Sequence, residues 1–184
     1  MSPATAVHLI DFGGALDGDV LALAEATPVW MGAFAKAVAW YERPFWRDAG
    51  LAGAAFSHAG PLREVHDMSG PDGSPAALFG FAPLQPGQPT PTHDEVLAQL
   101  AELFGDEAAG PAGLEIADWR AEPYTSPPGV DALGAYGAYG HPLFRQPALG
   151  GRLHWASTET ATDAPGHVQG ALSAATRAAA AITA

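Results

Sequence analysis

Three places in this chain carry residues whose types and spacing could do chemistry. The first is Lys36, the only lysine among 184 residues, set in the string GAFAKAVAWY over residues 32–41. If that string is a strand, the two-residue period puts Phe34, Lys36, Val38 and Trp40 on one face. A lysine in such a row must snorkel, pair or enter a polar pocket, because burying an unpaired ammonium is costly. The second is Trp119, closing a predicted strand over residues 113–119; read alone, a tryptophan ending a strand packs in a core. The third is the run GGRLHWASTETATDAPGHVQGALSA, from Gly150 to Ala174. It predicts a buried strand at residues 152–156, the polar pair Thr158 and Glu159, and a helix opened by Gly166 over residues 166–182. The first amides of such a helix, at His167 and Val168, can donate to an anionic or carbonyl group, as helix N-termini do.

The elements that must position these residues follow from periodicity and punctuation. An extended stretch is expected over residues 6–12 and a short helix over 20–26. Strands are expected at 53–57, 62–67 and 76–81, separated by Gly, Pro, Asp and Ser clusters that turn the chain. The clearest helix is 92–104: Thr92 and Glu95 form a capping-box pattern, Val96, Leu97, Leu100, Leu103 and Phe104 share a face, and Gly105 supplies the stop. Residues 122–147 read as a long Gly/Pro/Tyr-rich connection, a length that signals either function or missed elements. The fold class expected is α/β in the α+β sense, a mixed sheet with flanking helices. The strand and helix of residues 149–184 are expected to form a segment set apart from residues 1–148.

Composition excludes several functions. The formal charge of -12, from 20 acidic against 8 basic residues, repels phosphate backbones and anionic headgroups, so neither nucleic acid nor a membrane surface is an expected partner. There is no cysteine, which removes disulfides, thiolate metal sites and covalent attachment of a cofactor through a thioether. The seven histidines form neither H-x-x-x-H nor H-E-x-x-H, so no metal site is expected. No G-x-S-x-G or phosphate loop is present, and Asp11-Phe12-Gly13 lacks the companions of a kinase magnesium motif. No G-x-G-x-x-G follows a strand, and Gly134, Gly137 and Gly140 have the wrong spacing for one. The first ten residues lack the pattern of a signal peptide and no apolar run could span a bilayer, which makes the cytoplasm the expected compartment.

Taken together, the run from Gly150 to Ala174 resembles the last flavin-contacting segment of the flavin-containing amine oxidases, the monoamine and polyamine oxidase family. Residues 28–47, PVWMGAFAKAVAWYERPFWR, are similar to the family segment in which a strand lysine precedes an aromatic and then P-F-W. Asp118-Trp119 with Glu122-Pro123-Tyr124 is similar to its W-x-x-(D/E)-P-(Y/F) stretch. The resemblance implies that Lys36 is the catalytic-site lysine beside the reactive flavin nitrogen and that Trp119 packs against the isoalloxazine. It implies further that Thr158, Glu159, Gly166, His167 and Val168 contact the cofactor. The implied cofactor is FAD, held non-covalently, and the implied substrate is a small amine oxidised at its C–N bond. Three positions depart from the pattern: Ser157 replaces a glycine, His167 stands where many members have an aromatic-cage tyrosine, and Gln169 replaces a glutamate. Without a glycine-rich dinucleotide loop, the resemblance covers only the C-terminal portion of a family member. It therefore leaves two readings open: a flavoenzyme incomplete as an isolated chain, or a non-catalytic remnant or binding subunit that needs a partner protein to supply the N-terminal FAD-binding half.

Overall fold

The computed structural model describes residues 1–127 and 136–183. In chain order its elements are helices α1 (Pro3–Leu9) and α2 (Gly18–Glu25), strand β1 (Phe34–Tyr41), the one-turn helix α3 (Phe45–Asp48), strands β2 (Ala55–Phe56), β3 (Glu64–Asp67) and β4 (Ala76–Pro83), helix α4 (His93–Phe104), strand β5 (Gly113–Asp118) and helix α5 (Val168–Thr183). The chain divides into two compact units, Ala33–Ala121 and Met1–Gly32 with Glu122–Ala184. This division differs from the boundary at residue 148 expected from the motifs.

The unit Ala33–Ala121 is built on a five-stranded sheet in the order β2-β3-β4-β1-β5. The α+β class is as expected, but every pairing is antiparallel rather than mixed. Strands β2, β3 and β4 follow one another through short turn-rich links, and a parallel neighbour would need a crossover of about a dozen residues or more. The strand alternation assigned to β1 is present, with an unexpected division of labour. Ala35, Ala37, Ala39 and Tyr41 face the core, whereas Lys36 and Val38 are half-buried and Trp40 is 40% exposed. Alanines on the inner face leave room for bulky partners: Trp46 of α3 and Val96, Leu100 and Phe104 of α4 join the same core as Val65, Leu78 and Leu84. Phe34, Lys36, Val38 and Trp40 are thereby left on the outer face, while Tyr41 turns inward.

Helix α4 forms as its sequence predicts. Thr92 and Glu95 complete the reciprocal capping box, and Gly105 ends the helix in the left-handed region at φ 95°. The buried residue that hydrophobic periodicity passes over is Gln99. Its amide accepts from the Leu62 N–H at 2.7 Å and donates to the Leu62 and Ala59 carbonyls at 2.8 Å each, so a glutamine fastens the helix to the β2–β3 link.

In the other unit, α1 replaces the extended stretch expected at residues 6–12. Ser2 accepts the Thr5 N–H and Pro3 occupies the first turn, an N-terminal signal that outweighs the short apolar run behind it. Ala6, Val20 and Ala24 of α1 and α2 pack with Phe144 and Trp155 in a second core. The connection predicted over 122–147 contains 3-10 turns at Tyr136–Ala138 and Pro142–Arg145, and Phe144 within the second is fully buried. Residues 128–135 of that connection, Gly134 among them, lie outside the described residues. The strand expected at 152–156 is extended backbone with one isolated bridge, Ala148 to Leu153, because among the described residues no neighbouring strand in the unit continues a ladder. Among the described residues no helix is long and apolar enough to cross a membrane.

Candidate active site

In the unit Ala33–Ala121 the ladder brings Lys36 and Trp119 together. Lys36 lies opposite Phe81 on β4 and Ala117 on β5, and Val38 lies opposite Phe79 and Glu115. Directly paired residues share a face, so the outer side of the sheet is aromatic: Phe79 and Phe81 meet edge to face at 4.6 Å, and Phe34 meets Phe81 at 5.9 Å. Lys36 Nζ stands 5.2 Å from the Trp119 ring centroid and 5.8 Å from that of Phe81. A lysine ammonium within reach of two aromatic rings is attracted by their quadrupoles. Trp119 is therefore neither in the core nor at the end of the strand proper. It begins the 3-10 turn Trp119–Ala121 just past β5.

Asp118 fixes that turn. Its carboxylate accepts the Arg120 backbone N–H at 3.0 Å, pairs with the Arg120 guanidinium at 2.6 Å, and accepts the Thr90 hydroxyl. The Arg120 guanidinium, with further hydrogen bonds, holds the Asp118 carboxyl down at about 2. Arg120 also donates to the Gln88 carbonyl at 2.8 Å. This anchoring group was not singled out in the sequence; the Asp-Trp-Arg order flanking the tryptophan is the only signal it leaves.

The unit formed by Met1–Gly32 and Glu122–Ala184 brings the other five predicted residues together around the start of α5. Thr158 and Glu159 occupy a 3-10 turn, Thr158–Thr160. The Thr158 hydroxyl donates to the His167 carbonyl at 2.8 Å, so it serves the helix entry rather than remaining open to a ligand. Gly166, at φ 82°, makes the left-handed turn before the helix, a conformation that other residues adopt only with strain. The helix starts at Val168, two residues later than expected. The His167 N–H donates to the Ala164 carbonyl at 3.2 Å and is not available to a ligand, which corrects the donor role expected of it. Val168 retains that capacity, since the first-turn amides of a helix have no acceptor within it. Gly170 lets the loop close on the helix: a Cβ there would lie 2.3 Å from the Ala164 carbonyl oxygen and 2.9 Å from Thr158 Oγ1.

Three buried polar atoms of this segment have no hydrogen-bond partner among the described residues: Trp155 Nε1, Ser157 Oγ and Glu159 Oε2. Buried polar atoms are normally paired. A carboxylate oxygen accepts hydrogen bonds, an indole N–H donates one, and a hydroxyl can do either. In the same unit Trp30, Tyr136, Tyr139, Pro165, Gly166 and His167 line a cavity of about 470 Å³. Tyr136 stacks at a tilt 5.7 Å from Trp30 and 5.2 Å from Tyr139, and the Tyr139 hydroxyl donates to the Pro28 carbonyl at 3.0 Å. Burial, with smaller contributions from Glu159 and Tyr136, pushes the Tyr139 phenol well above its ordinary value. Both tyrosines come from the stretch read in the sequence as connection. Their recurrence as Ala-Tyr-Gly at residues 135–140, partly outside the described residues, is the signal that was available.

The profile of the flavin containing amine oxidoreductase family matches residues 2–183. The chain is 36% identical over 181 residues to the Mycobacterium tuberculosis protein named as flavin-containing monoamine oxidase AofH, covering 95% of this chain and 38% of that one. It is 33% identical over 169 residues to amine oxidase [flavin-containing] B of Sus scrofa, covering 83% of this chain and 31% of the pig protein. Among solved structures it matches cyclohexylamine oxidase from Brevibacterium oxydans with a TM-score of 0.77 at 30% identity, over 99% of this chain and 41% of that one. The fold is also that of a putrescine oxidase bound to putrescine, with a TM-score of 0.76 at 23% identity. The chain thus spans less than half the length of each of these four proteins, and over that span it belongs to the flavin-containing amine oxidase family.

Proposed function

We propose that this chain provides the substrate-facing sheet and the C-terminal cofactor-contacting segment of an FAD-dependent amine oxidase. The observation that carries this reading is Lys36 Nζ, poised 5.2 Å from the Trp119 ring centroid on an aromatic sheet face. Bound FAD supplies the two-electron acceptor that oxidises the C–N bond of an amine to an imine, which water hydrolyses. Lys36 offers a fixed cation or donor where negative charge develops, with no reorganisation needed at that moment. Trp119 offers a flat face against which a planar ring can rest. Glu159 and Ser157 hold hydroxyls of the nucleotide, and the Val168 amide faces a carbonyl or anionic group. The cavity lined by Trp30, Tyr136, Tyr139 and His167 presents ring faces to an amine cation. No cysteine of this chain is available for a thioether link, and non-covalent attachment is the form proposed.

A second reading, a non-catalytic subunit completed by a partner protein, draws on coverage of only 31% to 41% of the four proteins named above. FAD titrated into the purified chain, followed by quenching of flavin fluorescence and by visible bands after gel filtration, separates the two. Saturable binding that is lost in Glu159→Leu supports a flavin site carried by this chain. If no quenching occurs at any FAD concentration, this chain is not a cofactor-binding protein on its own and the second reading stands. In FAD-loaded protein mixed anaerobically with a panel of primary and secondary amines, Lys36→Met is expected to slow flavin bleaching about 100-fold or more. An unchanged rate would remove Lys36 from the mechanism.

A further inference from the structure

We infer that Arg177, on the third turn of α5, is a positioning residue that sets the shape of the segment 155–160. One guanidinium brackets that segment. Nη2 donates to the Trp155 carbonyl at 2.6 Å, and Nη1 donates to the Thr160 carbonyl at 2.9 Å. Nη2 also reaches Thr160 Oγ1 at 3.2 Å. Ser157, Thr158 and Glu159 lie between the two gripped carbonyls.

The physical need is plain from the backbone. Residues 152–156 have no ladder among the described residues, yet Trp155 is buried and Thr160 is 0% exposed. Buried carbonyls must find donors. A planar guanidinium with five N–H groups can serve three acceptors at once from one fixed plane, which a lysine ammonium cannot do with the same span. Thr160 extends the clamp: its hydroxyl donates to the Ser157 carbonyl at 2.7 Å, and its N–H donates to the same oxygen at 3.0 Å. The Gly140 N–H then fixes the Glu159 carbonyl at 2.8 Å. Every backbone oxygen of this stretch named here is thus tied down, while the side-chain atoms Ser157 Oγ and Glu159 Oε2 are left without partners among the described residues. The clamp spends its hydrogen bonds on the main chain and leaves those two polar groups for something else.

Only the consequence for cofactor affinity rests on the flavin reading above; the clamp itself stands on the hydrogen bonds. The test uses the full chain with Arg177→Met, Arg177→Lys and the isosteric Thr160→Val. Amide hydrogen exchange is read for residues 155–161 against the reference helix α4, with circular dichroism confirming that each variant is folded. Exchange in 155–161 is expected to rise about ten- to hundredfold in Arg177→Met, from loss of a charged hydrogen-bond donor, nearly as much in Arg177→Lys, whose ammonium cannot span both carbonyls, and less in Thr160→Val, with α4 unchanged. FAD affinity should weaken in the same order and by more than the accompanying fall in thermal midpoint accounts for, a pattern that a merely structural role would not produce. Should Arg177→Met fail to fold, Arg177→Lys and Thr160→Val still decide the matter. Unaltered exchange in 155–161 in the folded variants overturns the inference. Raised exchange in a chain whose wild type takes up no FAD upholds the clamp and sinks the flavin reading instead.

Discussion

Lys36 and Trp119 owe their positions to a ladder; Ser157, Thr158 and Glu159 owe theirs to a few side chains. In the sheet, the place of Lys36 is set by six paired residues on β5 and eight on β4, and no single side chain decides it. Around the start of α5, loop geometry depends on Arg177, Thr158, Thr160 and the missing Cβ of Gly170. The first kind of site fails by loss of the core beneath it. The second fails by changes of one or two atoms.

The largest effect should therefore come from the core under the ladder. Trp46 is 0% exposed, meets Tyr41 at 5.6 Å and Phe45 at 5.0 Å edge to face, and donates to Asp67 at 2.9 Å. Trp46→Ala is expected to cost about 3–5 kcal/mol in urea unfolding followed by circular dichroism. A loss below about 1 kcal/mol would mean that the ladder stands without its core and that the contrast is wrong. Next comes Gly170→Ala. An exposed helix would gain about 1 kcal/mol from this change, but here the new methyl meets the Ala164 carbonyl oxygen at 2.3 Å. The result should be a loss near the upper end of the roughly 1–3 kcal/mol seen for overpacking. Stabilisation in thermal unfolding would show that the loop does not press on the helix.

What could be read from the sequence follows the same division. Period-two alternation located β1, β3, β4 and β5 to within a few residues, and the capping box located α4, because these signals are local and repeat. It could not say which face of β1 was inside: large apolar side chains suggested one face, and the alanines took it because Trp46 and Leu100 fill the space they leave. Lys36 and Trp119 could be proposed together only through their resemblance to a known segment, since their meeting depends on the register between β1 and β5. Arg177 left no trace at all. An arginine in an alanine-rich helix looks like solubility until the carbonyls it reaches, 17 and 22 residues away in sequence, are seen. The false strand at 152–156 has the same origin, for an apolar extended segment reads as a strand whether its polar groups are met by a neighbour or by a guanidinium.

A pH effect tests whether the Trp119 turn belongs with the ladder or depends on one group. Asp118 has its carboxyl lowered from 3.8 to about 2 by Arg120 and its other partners, and its side chain is 19% exposed. For a carboxyl depressed on folding, the stabilisation is complete above the unfolded value, near pH 4, and is lost as pH falls through about 2. The expected contribution is about 2 kcal/mol. Asp118→Asn should lower stability at pH 7 and flatten the acid limb between about pH 4 and pH 2 in guanidinium unfolding at stepped pH. An acid limb of unaltered slope would assign that loss to other carboxylates.

The smallest effect sharpens the comparison most finely, because it sits two residues from one of the larger ones. At about 100° per residue, Leu172 points nearly opposite to Gly170 on α5, and it is 60% exposed, with Val168 at 79% and Ile182 at 67% along the same outward side. The inward side carries Gly170, Ala174 and Ala178, all buried. Leu172→Glu removes a side chain with little buried area and adds a charge in water, so its unfolding free energy should stay within about 0.5 kcal/mol of the wild type. Measured in the same thermal series as Gly170→Ala, a small change at residue 172 beside a large one at 170 would confine the helix's work to its inward face. A loss at 172 as large as that at 170 would mean that the outward face is packed within this chain, and then the loop could not be said to depend on Gly170 and Arg177 alone.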